Sequence, residues 1–525
     1  MDLNTNTNTT MEKEASVKNG VVRMILSVIL IAVQVGFIIL QFTKLSRYAS
    51  WIGAAMWVAA MLLALYIYSK PGTSSTKMPW IILILLAPIF GLGLYLIVGL
   101  NGGTKMMRER YQAVDKELLP LLEKDDGAAE ALAARSERWG TVSRYLARNS
   151  GYPVYDDTDI VYYDDAAKGL EAQKEALRRA EKFIFMEYHA IEDKESWHGL
   201  QEILEERVRA GVEVRVFYDD MGSIGFISTD FVRRLEKVGI KCRVFNPFMP
   251  GLSVFLNNRD HRKITVIDGK IGFTGGYNIA NEYFNLTHPF GMWKDTGVRL
   301  EGEAVRSLTV TFLENWNAMD RKDKRYDSDF AKYLPKTGYV AKERAFVQPY
   351  ADSPMDGERV GEEAYISHVN KANRYCWFAT PYLILTDEMI HALGLAAKRG
   401  VDVRVITPGI PDKKLVYEVT RSYYHVLTRN GVRVFEWTPG FLHCKMCVVD
   451  DEAAICGTIN LDYRSLYHHF ENGCLYMLCQ AVMDTKADFE RTMSECADVT
   501  EQYNTGRGQF LKFKQLLLRL FAPLL

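Results

Sequence analysis

The sequence of 525 residues lacks an excess of charge of either sign, with 64 Lys and Arg against 65 Asp and Glu and a formal net charge of -1. This balance gives no global attraction to nucleic acid or to anionic lipid headgroups. The chain also lacks cysteine before residue 242, and its 8 cysteines show neither compact disulfide spacing nor paired zinc-ligand pairs. We therefore predict reduced thiols in a reducing compartment. Partners have to be argued from individual sites.

A C-x-x-C pair does occur at Cys444 and Cys447, within a strand-like run. Residues three apart on a strand point to opposite faces of the sheet. We interpret the pair as coincidental, and no other cluster suggests a metal site.

Charged residues are absent from three apolar segments near the N-terminus. Each is close to the roughly 20 residues needed to span a bilayer. The first is also longer than the apolar core of a signal peptide, and aromatic residues flank the other two, as at membrane interfaces. The segments are Met24–Phe42, Trp51–Tyr68 and Pro79–Leu100. We predict three transmembrane helices in a membrane domain over residues 21–104, after a disordered polar tail over residues 1–20.

Flanking basic residues do not decide the orientation, because five lie on each side of the predicted spans. The thiol-rich remainder favours a cytoplasmic catalytic part, since an oxidising exterior would threaten Cys444, Cys447 and Cys456. We therefore expect a multi-pass protein of the cell membrane, with an external N-terminus.

Residues 105–150 are charged and rich in helix formers, which predicts a helical connector. Beyond them, strand-like runs such as Phe183–Tyr188 and Val212–Tyr218 alternate with helical stretches such as Leu200–Ala210. This alternation predicts an α/β fold.

The soluble part repeats itself. The segment RAGVEVRVFYDD at Arg209–Asp220 corresponds to KRGVDVRVITPG at Lys398–Gly409, and DHRKITVIDGKIGFTGGYN at Asp260–Asn278 corresponds to LHCKMCVVDDEAAICGTIN at Leu442–Asn460. Matched blocks in the same order predict two copies of one domain. We place them at residues 151–335 and 336–525. The second copy ends in an apolar helix from Phe510, which either lies in the membrane interface or packs on the domain core.

Both copies carry one string, H-x-K-x4-D-x6-G-[GT]-x-N. Its residues are His261, Lys263, Asp268, Gly275 and Asn278 in the first copy and His443, Lys445, Asp450, Gly457 and Asn460 in the second. On a strand, the His and Lys of each pair share a face, whereas the residue between them turns away.

This pairing has a chemical use. An imidazole can attack phosphorus or carry a proton near neutral pH, and an adjacent ammonium stabilises the negative oxygens of a phosphoryl transition state. The two Asn side chains are natural further donors to those oxygens, and no metal or other cofactor is required. Asp268 and Asp450 sit where a hairpin turn is expected, so a scaffold role and direct catalysis both remain open for them.

The doubled string resembles the defining motif of the phospholipase D superfamily. The resemblance implies two α/β/α sandwich domains packed as a pseudo-twofold unit, after the transmembrane helices. It also implies His261 as a nucleophile that becomes phosphorylated and His443 as general acid and then base. An acidic residue downstream of each motif would orient the histidine of the same half. Glu471 takes this place in the second half and Asp295 in the first.

Neighbouring strings are similar to those of bacterial cardiolipin synthases within this superfamily. They are FYDDMGS from Phe217, TPYLILTDE from Thr380, TPGIPDKK from Thr407, WTPGFLHCK from Trp437 and the apolar PIFGLGLYLIVG from Pro88. The resemblance implies transfer of a phosphatidyl group between two phosphatidylglycerol molecules at the bilayer, with no nucleic-acid partner. Another acceptor, an H-x-K nuclease and an inactive membrane scaffold are the alternatives, and the sequence leaves the oligomeric state open.

Overall fold

The computed structural model describes residues 46–70, 74–96, 102–122, 126–247, 258–319, 329–505 and 512–520, with isolated positions 29, 32, 33, 35, 36 and 327. The predicted tail over residues 1–20 lies outside the described residues, as does most of the first predicted span. The chain forms two compact units. One comprises Met1–Met106, Pro247–Asn257 and Arg519–Leu525, and the other Met107–Asn246 and Asn258–Leu518.

The first unit contains an apolar helix, α1 (Ser46–Ser69). Its stretch Trp51–Ser69 has 19 residues with a mean hydropathy of 1.8, and 22% of that stretch is buried. Among the described residues, this is the one helix long and apolar enough to cross a membrane. The second of the three predicted spans therefore has the expected form.

The third predicted span is broken in the structure. It is divided between α2 (Ser74–Leu86) and α3 (Pro88–Leu94) at Ala87, whose φ of -136° and ψ of 74° are not helical. Pro88 explains the break, because proline disfavours helical geometry in the residue before it. A Cβ on Gly91 would lie 2.6 Å from Ile84 Cα, so the chain folds back closely on itself.

Helices occupy the region between the predicted spans and the first sheet. They are α4 (Gly102–Leu118), α5 (Asp126–Arg135) and α6 (Glu137–Asn149), with a 3₁₀ turn at Leu119–Leu121. Helix α6 is anchored to the second half of the repeat, where Trp139 Nε1 donates to Glu452 Oε2 over 2.8 Å.

The first half is built on a seven-stranded sheet in the order β1-β9-β7-β6-β2-β3-β4. Its strands are β1 (Thr158–Tyr163), β2 (Phe183–Tyr188), β3 (Glu213–Asp219), β4 (Lys241–Phe245), β6 (Lys263–Ile267), β7 (Ile271–Gly275) and β9 (Gly297–Gly302); β5 (Arg259–Asp260) and β8 (Met292–Lys294) lie outside it. Its helices are α7 (Ala166–Arg178), α8 (Glu195–Arg209), α9 (Phe231–Lys237) and α10 (Val305–Ala318), with a 3₁₀ turn at Asn281–Phe284.

Side chains of β2 show why both faces of this sheet are covered. All six residues of the strand are buried. Met186 packs in one core with Trp197 of α8, whereas the adjacent Phe185 stacks on Phe312 of α10 with ring centroids 4.5 Å apart. A continuous apolar run is typical of a strand covered on both faces, so this half is an α/β/α sandwich.

The second half repeats the same strand order, β10-β17-β16-β15-β11-β12-β13, and adds β18 at the edge. Its strands are β10 (Phe346–Asp352), β11 (Tyr375–Ala379), β12 (Asp402–Pro408), β13 (Arg433–Trp437), β14 (Gly440–Leu442), β15 (Met446–Val449), β16 (Ala453–Gly457), β17 (His469–Met477) and β18 (Cys496–Asp498). Its helices are α11 (Val360–Lys371), α12 (Asp387–Lys398), α13 (Lys414–Arg429), α14 (Tyr463–Tyr467), α15 (Gln480–Ser494), α16 (Thr500–Asn504) and α17 (Phe513–Leu520). A 3₁₀ turn at Ala331–Tyr333 ends the first half. The matching strand order confirms the predicted repeat.

Two very short strands cross between the halves. Strand β5 of the first half pairs in parallel with β17 of the second, and β14 of the second pairs in parallel with β8 of the first. The two pairings are equivalent under the repeat, since each crossing strand directly precedes a motif histidine. The halves therefore pack with pseudo-twofold symmetry, and the crossing strands determine what each histidine contacts.

The C-terminal helix α17 contacts α13. Gln515 Nε2 donates to the Glu418 carbonyl oxygen over 3.5 Å, while Phe513 and Leu516 remain 74% and 55% exposed. It therefore contacts the domain through one side and presents apolar side chains on another.

Candidate active site

Backbone pairing places each motif histidine beside the opposite half. His261 N donates to the Phe470 carbonyl oxygen on β17, and His443 N donates to the Lys294 carbonyl oxygen on β8, each over 2.8 Å. The next residue along each receiving strand is a carboxylate, Glu471 or Asp295. The two parallel pairings therefore bring each imidazole to a carboxylate of the other copy.

Each imidazole is hydrogen-bonded to that carboxylate. His261 Nδ1 lies 2.9 Å from both Glu471 oxygens, and His443 Nδ1 lies 2.7 Å from Asp295 Oδ2. The prediction that each carboxylate serves the histidine of its own half is therefore wrong. The crossing strands, which the motif spacing does not reveal, are the physical reason.

Both carboxylates are held by the residues that follow the motif glycines. A Cβ on Gly276 would lie 2.1 Å from Asp295 Oδ1, so only glycine leaves room for that carboxylate. At the equivalent position in the second half, Thr458 Oγ1 donates to Glu471. The variable position of the motif thus fits each copy to its own carboxylate.

The two motif lysines join the histidines in one buried centre. Lys445 Nζ lies within 3.0 Å of both ring nitrogens of His443, and Lys263 Nζ donates to the His261 carbonyl oxygen over 2.6 Å. The charge of each lysine acts on the histidine of the other half. The sequence prediction that both motifs share one site agrees with this arrangement.

Burial sets the protonation of this centre. It lowers the pKa of Lys263 to about 7, and the charge of Lys445 acts in the same direction. Burial also lowers the pKa of Lys445 to about 8. Burial also lowers the pKa of His443 to about 3 and that of His261 well below its ordinary value. Burial raises the pKa of Glu471 well above its usual range. A bound anion would favour the protonated forms of these groups.

The two motif aspartates lie at the opposite ends of β6 and β15 from the His-Lys pairs. Asp268 accepts hydrogen bonds from three successive backbone N–H groups, those of Glu181, Lys182 and Phe183, over 2.7 to 2.9 Å. Both aspartates have positive φ, 54° for Asp268 and 55° for Asp450.

Asp450 repeats this arrangement at the start of β11. It accepts from the backbone N–H groups of Asn373, Arg374 and Tyr375, over 2.8 to 2.9 Å, and forms an ion pair with Arg138 at 2.8 Å. Each aspartate thus ties a hairpin turn to the neighbouring strand. This geometry favours the scaffold alternative over direct catalysis.

The motif asparagines lie next to the centre and contact protein groups. Asn278 accepts from Ala190 N over 3.1 Å and donates to Tyr283 Oη over 2.8 Å. Asn460 is buried, and its side chain interacts with Asp462. Their role as phosphoryl-oxygen donors stays a prediction.

The surroundings of the two histidines differ, a feature that the repeat did not predict. His261 is flanked by the rings of His189 and His469, with centroids 4.9 and 5.4 Å away. His443 is flanked by Tyr283, Trp293 and Phe441, with centroids 5.1, 5.4 and 5.8 Å away. The available signal was the position of His469 and Trp293, each two residues before a site carboxylate.

One group of side chains in the described part of the chain could hold a metal ion. His261, His469 and Glu471 each offer a ligand atom, and these atoms lie within 4.8 Å of one another. The same His261 and Glu471 atoms already form the hydrogen bond described above, so a metal would displace that contact. The chemistry of the donor set does not require one.

A family model and curated relatives match most of this chain. The family model "Cardiolipin synthase, PLD-like domain" matches residues 174–316 and 365–493. Cardiolipin synthase 2 of Bacillus cereus is 30% identical over 469 residues, 89% of this chain and 90% of its own. An uncharacterized protein of Streptococcus mutans is 41% identical over 461 residues, 88% of this chain and 99% of its own.

Among solved structures, the phosphatidylserine synthase of Haemophilus influenzae superposes with a TM-score of 0.55 at 16% identity. The match covers 74% of this chain and 98% of that protein. At this identity the likeness concerns the fold alone.

Proposed function

This chain belongs to the family of cardiolipin synthases with phospholipase D-like domains, and on that premise we propose that it joins two phosphatidylglycerol molecules into cardiolipin and releases glycerol. The observation that carries the proposal is the reciprocal centre, in which each half supplies one His-Lys pair and the carboxylate for the other. Such a centre provides two imidazoles for two different tasks on one phosphorus.

In the first step, His261 attacks the phosphorus of the donor lipid. Glu471 accepts the hydrogen bond from Nδ1–H of His261, which leaves the Nε2 lone pair free to form the N–P bond. The P–O bond to the glycerol headgroup breaks, and His443 gives its proton to the departing oxygen. Lys263 and Lys445 stabilise the charge on the phosphoryl oxygens.

In the second step, the acceptor is a hydroxyl of another phosphatidylglycerol. His443, now neutral, takes the hydroxyl proton while the oxygen forms a new bond to phosphorus and the N–P bond breaks. Asp295 supports the imidazolium of His443 through its 2.7 Å hydrogen bond. Both histidines finish as they began, so neither an oxidant nor a cofactor enters the balance.

We further propose that the chain is a multi-pass membrane protein with its catalytic unit in the cytoplasm. The apolar stretch Trp51–Ser69 supports insertion. The eight cysteines are all free, and seven are buried, which suits a reducing compartment. A cysteine-accessibility assay on intact cells tests the orientation, with a single reporter cysteine in place of the exposed Lys398. Labelling of this cysteine from outside the cell would show that the catalytic unit is external.

The activity test uses the purified full-length protein in vesicles of phosphatidylglycerol alone. We expect cardiolipin and glycerol in equal amounts, with both products lost in His261→Ala and in His443→Ala. Phosphatidic acid in place of cardiolipin would identify a phospholipase. Absence of any lipid product would refute the proposal.

The covalent step is tested with phosphatidylglycerol labelled in its phosphatidyl group. Rapid quenching should leave acid-labile label on the peptide that contains His261. Label on the His443 peptide would reverse the assignment of the two histidines.

A further inference from the structure

Joining two phosphatidylglycerol molecules brings two phosphodiester anions to one site. The His-Lys centre handles the phosphoryl group that is transferred. The other phosphodiester belongs to the acceptor and lies one glycerol unit from the reacting phosphorus. A cation of the protein at that place would favour a lipid acceptor over water or a neutral alcohol.

The site is partly open to solvent at His189, whose side chain is 22% exposed. Arg259 lies two residues before His261 and has a side chain that is 4% exposed. Its Nη1 donates to the Asn246 carbonyl oxygen over 2.7 Å and lies 3.7 Å from Asp219 Oδ2. Its Nη2 is buried and has no hydrogen-bond acceptor among the residues that the structure describes. A buried guanidinium donor without an acceptor is costly, and a phosphate oxygen would satisfy it.

Two further cations come from the second half. Arg464, on α14, is partly buried and lies five residues before His469, which pairs with Arg259 across the β5–β17 contact. Burial lowers the pKa of Arg464, and the charge of Arg259 acts in the same direction. Lys413 is 64% exposed, and its Nζ lies 5.2 Å from the centroid of the Tyr382 ring. The charge of Lys413 also acts on His189. Both cations of the second half therefore lie close enough to interact electrostatically with Arg259 or His189 of the first half.

Carboxylates offset part of this charge. Asp219 lies against Arg259, as above, and Asp412 Oδ2 lies 3.8 Å from Lys413 Nζ. Burial raises the pKa of Asp219 to about 7, which weakens its competition with an incoming anion. Among the described residues, Arg259 Nη2 thus remains a donor without an acceptor for an anionic ligand to satisfy.

The repeat shows that the two arginines have no basic counterpart in the other copy. Different types of side chain occupy equivalent positions of the two copies. In the motif region these positions are 182 residues apart, and near the site carboxylates they are those two residues before each carboxylate. The correspondences are Arg259 with Phe441, Arg464 with Glu282 and His469 with Trp293. A charge pattern that the shared fold does not require calls for a ligand on one side only.

We propose that Arg259, Arg464 and Lys413 form a subsite for the phosphodiester of the acceptor lipid. This subsite rests on the proposed function and specifies how that site selects a lipid as acceptor. It takes a monoanionic phosphodiester carried by a lipid headgroup.

A competition between two acceptors tests the subsite. Purified full-length protein is incubated with phosphatidylglycerol vesicles and 1-butanol, and the ratio of cardiolipin to phosphatidylbutanol is measured. Both products share the first step, but only cardiolipin formation needs a second phosphodiester. We expect the ratio to fall by about tenfold in Arg464→Gln and by about threefold in Lys413→Gln, the loss of one charge-assisted contact in each case.

The control is Lys414→Gln, which removes an exposed charge from the adjacent residue and should keep the parent ratio. An unchanged ratio in Arg464→Gln and Lys413→Gln would overturn the subsite. A parallel fall of both products would also overturn it, because it would assign the cations to donor binding or to folding. If the parent protein makes phosphatidylbutanol without cardiolipin, or neither product, the proposed function fails and the subsite fails with it.

Discussion

A lipid substrate whose leaving group needs no proton can distinguish the functions of the two histidine–carboxylate pairs. In phosphatidyl-p-nitrophenol, p-nitrophenolate departs as an anion, so the first step no longer requires a general acid. The structure pairs His443 with Asp295 and His261 with Glu471. A variant of each carboxylate should therefore behave like a variant of the histidine in the other half.

General acid catalysis contributes about 10²- to 10⁴-fold. On phosphatidylglycerol, His443→Ala should lower glycerol release by this factor. Asp295→Asn should also lower it strongly, because a carboxamide can donate to Nδ1 at 2.7 Å and so favour the wrong tautomer. On the nitrophenyl donor, both variants should release p-nitrophenolate at close to the parent rate for a single turnover. His261→Ala and Glu471→Gln should stay slow on both donors, since nucleophilic attack is still required.

Stopped-flow absorbance measures the burst of p-nitrophenolate, and glycerol release from phosphatidylglycerol provides the comparison. Rescue of Glu471→Gln together with His443→Ala would refute the crossed pairing. Rescue of His261→Ala together with Glu471→Gln would keep the pairing and exchange the roles of the two histidines.

Three further predictions concern individual residues. Asp268→Asn should destabilise the protein by about 3 kcal/mol, because a carboxamide oxygen retains at most two of the three N–H donors and carries no charge. Thermal unfolding in detergent should show a lower midpoint, with a normal rate of cardiolipin synthesis per folded protein. A large loss of activity at an unchanged midpoint would make Asp268 catalytic. Burial lowers the pKa of Lys263 to about 7, so the cation is present below that pH and is lost as the pH rises. The KM for phosphatidylglycerol should therefore increase between pH 7 and 9, and Lys263→Arg should flatten the increase. A constant KM in the parent protein would contradict this. Gly276→Ala places a Cβ 2.1 Å from Asp295 Oδ1, so it should lower cardiolipin synthesis by on the order of 10²-fold; full activity in this variant would show that the carboxylate has room to move.

The repeat and the chemistry of its centre could be predicted because both depend on local pattern. Matched blocks predicted two halves, and the two sheets share one strand order. The spacing of His261 and Lys263 predicted side chains that act together, whereas Arg262 between them is fully buried and forms an ion pair with Glu314 at 2.9 Å. A period of two residues is enough to assign such faces.

The crossed pairs could not be predicted in this way. They depend on β5 and β14, strands of two and three residues, which are too short for an alternating pattern. The parallel pairing of β5 joins residues about 210 positions apart, such as Arg259 and His469. The break in the third predicted span could not be predicted for a different reason: hydropathy ignores the backbone, and Pro88 interrupts a helix that composition alone would continue.

A site shared reciprocally by two copies is what a twofold homodimer would also build, with each copy giving a histidine to the carboxylate of the other. In such a dimer every substitution occurs on both sides of the site. In a single chain the two sides can differ, and here one histidine has His469 where the other has Trp293. The proposed reaction needs this freedom, because in it one imidazole bonds to phosphorus while the other exchanges a proton with an alcohol. The symmetric contacts hold both imidazoles in one orientation, and the asymmetric surroundings allow each to meet a different part of the lipid pair.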